Sequence, residues 1–134
     1  MKLRSVTLIA VTLCAIVSQL EARANTIKID KDDQTTTIEC KGNAVNVSGN
    51  DNNITLKGEC SKLVVSGKDN NITAASVKEV VVSGGDNNVT VGSVAKIDAK
   101  GDDINIIWGN GIGGKAPKIS QKKGADINVV HAGK

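Results

Sequence analysis

The 134-residue chain has no Phe, no Tyr, a single Trp, a single Pro and a single His. The near-absence of aromatics removes the residues that usually dominate the core of a compact domain. It leaves Val, Ile, Leu and Ala to fill the interior, which suits the narrow space between closely stacked strands better than a helical bundle. One histidine leaves too few nitrogen ligands for a zinc site beside the cysteines. Both arginines fall within the first 24 residues. Beyond them, 14 Lys stand against 13 Asp and Glu, scattered among one another, for a net charge of +1. Nucleic acid is therefore not an expected partner, because phosphate recognition leans on clustered basic charge and bidentate arginine.

What is present begins with an export-type leader. Lys2 and Arg4 precede an apolar run from Val6 to Val17, followed by the polar stretch 18–23. The run is about 12 residues, shorter than the roughly 18 that a membrane-spanning helix needs. Ala22 and Ala24 supply the small residues of a signal-peptidase site, so residues 1–24 read as a cleaved signal peptide. A lipoprotein reading through Cys14 fails because Leu13 is too large for that cleavage. The expected destination is the periplasm or the extracellular space, with no transmembrane helix left after cleavage.

Two cysteines remain, Cys40 and Cys60. In an exported chain an even pair favours a disulfide, and 20 residues is close to one period of the repeat described next. Closing such a loop contributes about 3 kcal/mol.

The repeat dominates the sequence. Val47-Ser48-Gly49-Asn50-Asp51-Asn52-Asn53-Ile54-Thr55 recurs from Val65 to Thr73 and from Val82 to Thr90, with glycines 18 and 17 residues apart. A fourth copy, Ala99-Lys100-Gly101-Asp102-Asp103-Ile104-Asn105, reads as degraded, its turn two residues shorter; Gly124 to Asn128 repeats the short form. Apolar residues alternate with polar ones on both sides of each turn, the pattern of half-buried strands. Gly offers a positive φ at the turn, and the following Asp and Asn tolerate left-handed backbone. A unit of 17–18 residues is too short for a strand–helix crossover, so two strands per coil, stacked on the next coil, is the economical solution.

The expected fold is all-β: a short single-domain parallel β-solenoid (β-helix) of about four to five coils. Residues 25–37 are expected to form an N-terminal cap or edge strand, 38–130 the solenoid, and 131–134 a C-terminal tail. The expected inward rows are Ile54, Ile72, Val89, Ile104; Leu56, Ala74, Val91, Ile106; and Val47, Val65, Val82, Ala99, with Cys60, Val77 and Val94 at the second corner. Trp108 and the glycine-rich 109–114, together with Pro117 and Lys122-Lys123, are expected to close the far end. With both ends covered, a monomer is expected.

The segments Ile38-Glu39-Cys40 and Leu56-Lys57-Gly58-Glu59-Cys60, the Val-Ser-Gly turns, and Ile106-Ile107-Trp108 leading to Pro117-Lys118-Ile119 resemble a bacterial family, the domain of unknown function numbered 3060. The resemblance runs from about Ile38 to Val130. It implies an exported or lipid-anchored protein with asparagine-rich β-repeats, and it implies no catalytic residue or cofactor.

Candidate function rests on the outward side chains. Asn53 and Thr55, Asn71 and Thr73, Asn88 and Thr90 are expected to stack as a polar ladder, continued by Asp103 and Asn105 and by Asp126 and Asn128. Asn amides bonded along the stack would stabilise it; the same face could bind a glycan, a protein or ice. With Asn46-Val47-Ser48, these triplets also match the N-glycosylation pattern, a by-product of the repeat in a bacterial setting. Asp51, Asp69 and Asp86 in the turns are candidate calcium ligands, weakened because the opposite half-coil lacks the matching motif. An enzyme is not expected: His131 lies near the chain end, and the adjacent Asp102 and Asp103 read as turn residues rather than as an acid–base pair on a glycoside. No cofactor is expected. The leading expectation is a non-enzymatic envelope protein making weak contact through its Asn-x-Thr face; the alternative is an amyloid-like or surface-assembly subunit.

Overall fold

The computed structural model describes residues 25–121 and 126–133. The expected signal peptide at 1–24, Lys122-Lys123 and the Gly124-Ala125 part of the last repeat lie outside the described residues. The elements are nine strands: β1 Thr26–Ile29, β2 Thr35–Glu39, β3 Ala44–Val47, β4 Asn53–Val65, β5 Asn71–Val82, β6 Asn88–Ala99, β7 Ile104–Gly111, β8 Lys118–Gln121 and β9 Ile127–His131. Every pairing is parallel. The long strands β4, β5 and β6 run through the second corner and serve two faces. One face stacks β1, β3, 62–65, 79–82, 96–99 and β8; the other stacks β2, 53–57, 71–74, 88–91, β7 and β9. The expected parallel β-solenoid is borne out, with about five coils.

Alternation within each strand sends every second side chain inward, and the parallel register stacks like on like. Ile27, Val45, Leu63, Val80, Ile97 and Ile119 form one row, and Ile29, Val47, Val65, Val82 and Ala99 a second. Cys60, Val77 and Val94 line the corner as expected. On the other face, Ile54, Ile72 and Val89 continue into Ile106, and Leu56, Ala74 and Val91 into Trp108. Both rows were expected to end two residues earlier, at Ile104 and Ile106. The fourth turn is not shortened after all: it keeps its length, and Ile104 fills the place that Asn87 holds one coil before.

The turns also work differently from the expectation. The left-handed positions are Asp33, Asp51, Asp69, Asp86 and Asp103, with φ between 50° and 55°, a conformation that Asp and Asn visit most readily after Gly. Gly49, Gly67 and Gly84 are not in that region. They are required by contact: a Cβ on Gly67 would lie 1.9 Å from the carbonyl oxygen of Gly49, and one on Gly84 1.7 Å from that of Gly67. No side chain fits where one turn rests on the next.

The difference between 18- and 17-residue coils has a local cause. The β4–β5 register shifts between Leu56 and Glu59, where Lys57 and Gly58 oppose the single residue Ala75. Gly58 takes φ +73° in this bulge, which places one extra residue at the corner. Beside it, Cys40 and Cys60 form the expected disulfide, with Cα atoms 5.0 Å apart and both side chains buried.

The ends depart most from the expectation. Of the two readings of residues 25–37, cap or edge strand, the structure gives the second: β1 and β2 are the edge strands, in register with β3 and β4, so the solenoid itself starts before residue 38. Trp108 does not break the repeat but sits inside β7, opposite Val91. The irregular corner follows it, where a 3-10 turn at Ile112–Gly114 leads through buried Pro117 to β8. There the offset to β6 is 22 residues (Lys96 to Lys118) instead of 17. His131 is no loose tail: it ends β9 opposite Trp108, with ring centroids 4.3 Å apart and Nε2 2.6 Å from the Gly109 carbonyl oxygen.

Candidate interaction face

The Asn-x-Thr pairs lie at the start of each strand on the second face, directly after the aspartate turn. Because the turn fixes the strand's entry, Asn53, Asn71 and Asn88 fall in one column and Thr55, Thr73 and Thr90 in another. The first column extends to Thr35 at one end and to Asn105 and Asn128 at the other; the second extends to Thr37 and then to Ile107 and Val130. Asp103 and Asp126 are thus not part of this ladder, and Asn105 stands where Asp103 was expected. Strands about 4.8 Å apart and a two-residue repeat of roughly 6.6 Å set the grid of the face.

The outer amides differ in how they are used. Asn105 donates to Asn88 at 3.4 Å and Asn128 to Asn105 at 3.3 Å. Among the described residues, the amides of Asn53 and Asn71 have no side-chain hydrogen bond along the stack, and both residues are exposed. The outer ladder is therefore bonded from Asn88 to Asn128 alone, and is not the amide ladder through the central coils that the sequence suggests.

That ladder exists one residue earlier, inside. Asn52, Asn70 and Asn87 are buried to 1% exposure or less. The side-chain oxygens of Asn52, Asn70 and Asn87 accept the backbone N–H of Gln34, Asn52 and Asn70 respectively, at 2.8, 3.1 and 3.1 Å. Asn70 Nδ2 donates to the Gly49 carbonyl at 3.0 Å, and Asn87 Nδ2 to that of Gly67 at 2.9 Å. These asparagines satisfy backbone groups that the tight glycine turn buries, which would otherwise cost stability. The alternation itself pointed here, since Asn52 lies two residues before the inward Ile54.

The aspartates Asp51, Asp69 and Asp86 do stack, and Asp33 and Asp103 lengthen the column to five exposed carboxylates. Among the described residues no three His, Cys, Asp or Glu side chains are grouped to hold a metal ion. Asp102 bridges to Gly85 in the fourth turn and Asp103 belongs to the aspartate column. His131 lies at the other end of its strand from that turn. On the first face, Lys62, Glu79 and Lys96 form a charged column, with Glu79 3.5 Å from Lys62 and 3.0 Å from Lys96. The Lys96 hydrogen bond, reinforced by the charges of both lysines, holds the Glu79 carboxyl below its ordinary range.

The structure thus defines a small parallel β-solenoid with a regular polar face. Residues 47–93 match the model of the family described as Protein of unknown function (DUF3060), the family that the repeat resembles. The match takes in the three Val-Ser-Gly turns and Cys60; Cys40, Trp108 and Pro117 lie outside it. No curated protein and no solved structure matches the chain. Among the described residues no helix is long and apolar enough to cross a membrane.

Proposed function

We propose that the chain is an exported, non-enzymatic binding protein whose Asn-x-Thr face makes weak, repeated contacts with a glycan of the bacterial envelope. The observation that carries this reading is the unbroken pair of Asn and Thr columns on one exposed face, with amides at Asn53 and Asn71 left without side-chain partners. A linear glycan presents hydroxyls at a regular repeat, and amide and hydroxyl side chains can each donate and accept. With no aromatic in these columns to stack on a sugar ring, each contact is weak. Repetition over several coils supplies avidity instead. The Cys40–Cys60 disulfide supports an oxidising compartment, and the leader at 1–24 supports a route to it.

Binding of the purified protein to an envelope-glycan array tests the reading. Thr73→Lys, in the middle of the face, is expected to abolish binding without changing the unfolding midpoint. Binding unaffected by this substitution, or an envelope protein captured with no glycan bound, refutes the glycan assignment. Protein from the envelope fraction is expected to begin at Asn25. A panel of polysaccharides is expected to show no turnover; turnover lost in Asp102→Asn and Asp103→Asn would make the protein an enzyme.

A further inference from the structure

Residues 26–29, 35–39 and Trp108 belong to strands of the solenoid rather than to covers over it, and this leaves two complementary ends. At the first end, among the described residues, β1 and β2 pair on one side only. Beside them is a cavity of about 270 Å³, lined on one part by Ile27, Ile29, Thr36 and Ile38 and on the other by the charged and polar side chains of residues 28, 30, 31 and 34. At the other end, among the described residues, β8 and β9 pair on one side only, and their inward residues Ile119 and Val129 are left 42% exposed and part-exposed respectively. Solenoids ordinarily need terminal units with a polar outer surface to stay apart. Parallel strands with one open edge are templates for further pairing.

We propose that the chain stacks end to end on a second copy of itself, β8 and β9 of one copy pairing with β1 and β2 of the next. The registers already established inside the molecule determine the match. Continuing each column by one step places Ile119 on Ile27, Val129 on Thr36, Val130 on Thr37 and His131 on Ile38. Lys118 meets Thr26 and Ser120 meets Lys28, so neither strand joint opposes like charges. The turn does: Asp126 comes over Asp33. That opposition is one the fold already sustains, since the aspartate column stacks at every internal coil. Four of the five inner-row pairs at the joint include a polar residue (Thr36, His131, Gln121 over Ile29, and Gln34 under Ile127), so the joint is weaker than an internal step and dissociates on dilution. The contact is heterologous and unclosed, so it propagates into chains of copies rather than stopping at a symmetric dimer. Stacking carries the Asn column of one copy through Asn128 onto Thr35 of the next, while Ile107 and Val130 separate the Thr columns.

The test uses the exported, processed protein and its edge variants. Light scattering is expected to show an average mass that rises with concentration beyond two copies, and rises further with salt as the Asp33–Asp126 repulsion is screened. Ile119→Lys places a charge on one end, and Thr36→Lys on the other. Each variant alone is expected to remain monomeric, and an equimolar mixture is expected to form a 1:1 dimer and nothing larger. Circular dichroism and the unfolding midpoint confirm that each variant folds; Val129→Lys and Ile27→Lys provide a second pair if either fails. Thr73→Lys, away from both ends, is expected to leave stacking unchanged. A wild-type protein that stays monomeric at millimolar concentration, a variant that still self-associates, or a mixture that stays monomeric overturns the proposal.

Discussion

Replacing Asn70 by Ala removes the centre of the buried amide ladder while leaving the outward face untouched. The side chain is 1% exposed and serves three partners. It accepts from the Asn52 N–H at 3.1 Å and donates to the Gly49 carbonyl at 3.0 Å and to Asn87 Oδ1 at 3.2 Å. Asn87 Oδ1 keeps the Asn70 N–H as a donor in the variant, so that atom is not orphaned. The Asn52 N–H and the Gly49 carbonyl each lose a buried partner, at about 1–3 kcal/mol apiece. The vacated volume adds a smaller term, and relief of the amide's own desolvation subtracts one. The expected net loss is about 3 kcal/mol, read from urea unfolding with the disulfide intact. Asn71→Ala is the internal control: it is exposed, has no side-chain hydrogen bond, and is expected to change stability by less than about 0.5 kcal/mol. If Asn70→Ala costs under about 1 kcal/mol, or no more than Asn71→Ala, the ladder is not what holds the turns together.

Ile104 occupies the next place in that ladder, so Ile104→Asn is expected to cost less than about 1 kcal/mol, the new amide reaching the Asn87 N–H and the Gly84 carbonyl. Ile106→Asn, which has no such partners, is expected to cost at least about 3 kcal/mol; equal losses in the two variants would refute the placement. Gly67→Ala drives a Cβ into the Gly49 carbonyl and is expected to destabilise by more than about 3 kcal/mol, whereas Gly58→Ala meets no atom within 4 Å and is expected to cost only the strain of its positive φ, about 1 kcal/mol. Replacing Cys40 and Cys60 together by Ala is expected to lower stability by about 2–4 kcal/mol, with the same loss on reducing the wild type. Glu79 has a lowered folded pKa, so its contribution is present above the unfolded value and disappears as pH falls through the folded one. Because the lysines are half exposed, the effect is under about 1 kcal/mol and fades with salt; Glu79→Gln is expected to flatten the acid side of the stability profile, and an unchanged profile would discount the pair.

The sequence by itself determined the coil period, the parallel solenoid, the pairing of Cys40 with Cys60 and the columns at Asn53, Asn71, Asn88 and Thr55, Thr73, Thr90. These follow from local rules: alternation selects the inward side chains, and identical spacing puts identical residues above one another. The tertiary structure decided what depends on the distance between coils. Gly67 reads as a residue chosen for its backbone freedom until the carbonyl of the coil before it is found where a Cβ would be, and the left-handed position proves to be Asp69. Asn70 and Asn71 are neighbours of the same type, yet only contact with the next turn separates a buried bonding amide from an exposed one. Ile104 reads by composition as a strand residue, like Val89, until the register shows it capping a column of asparagines. The same holds for the ends: whether residues 25–37 and Trp108 cover the solenoid or continue it depends on pairing with strands 18 and 17 residues away, which no local pattern encodes.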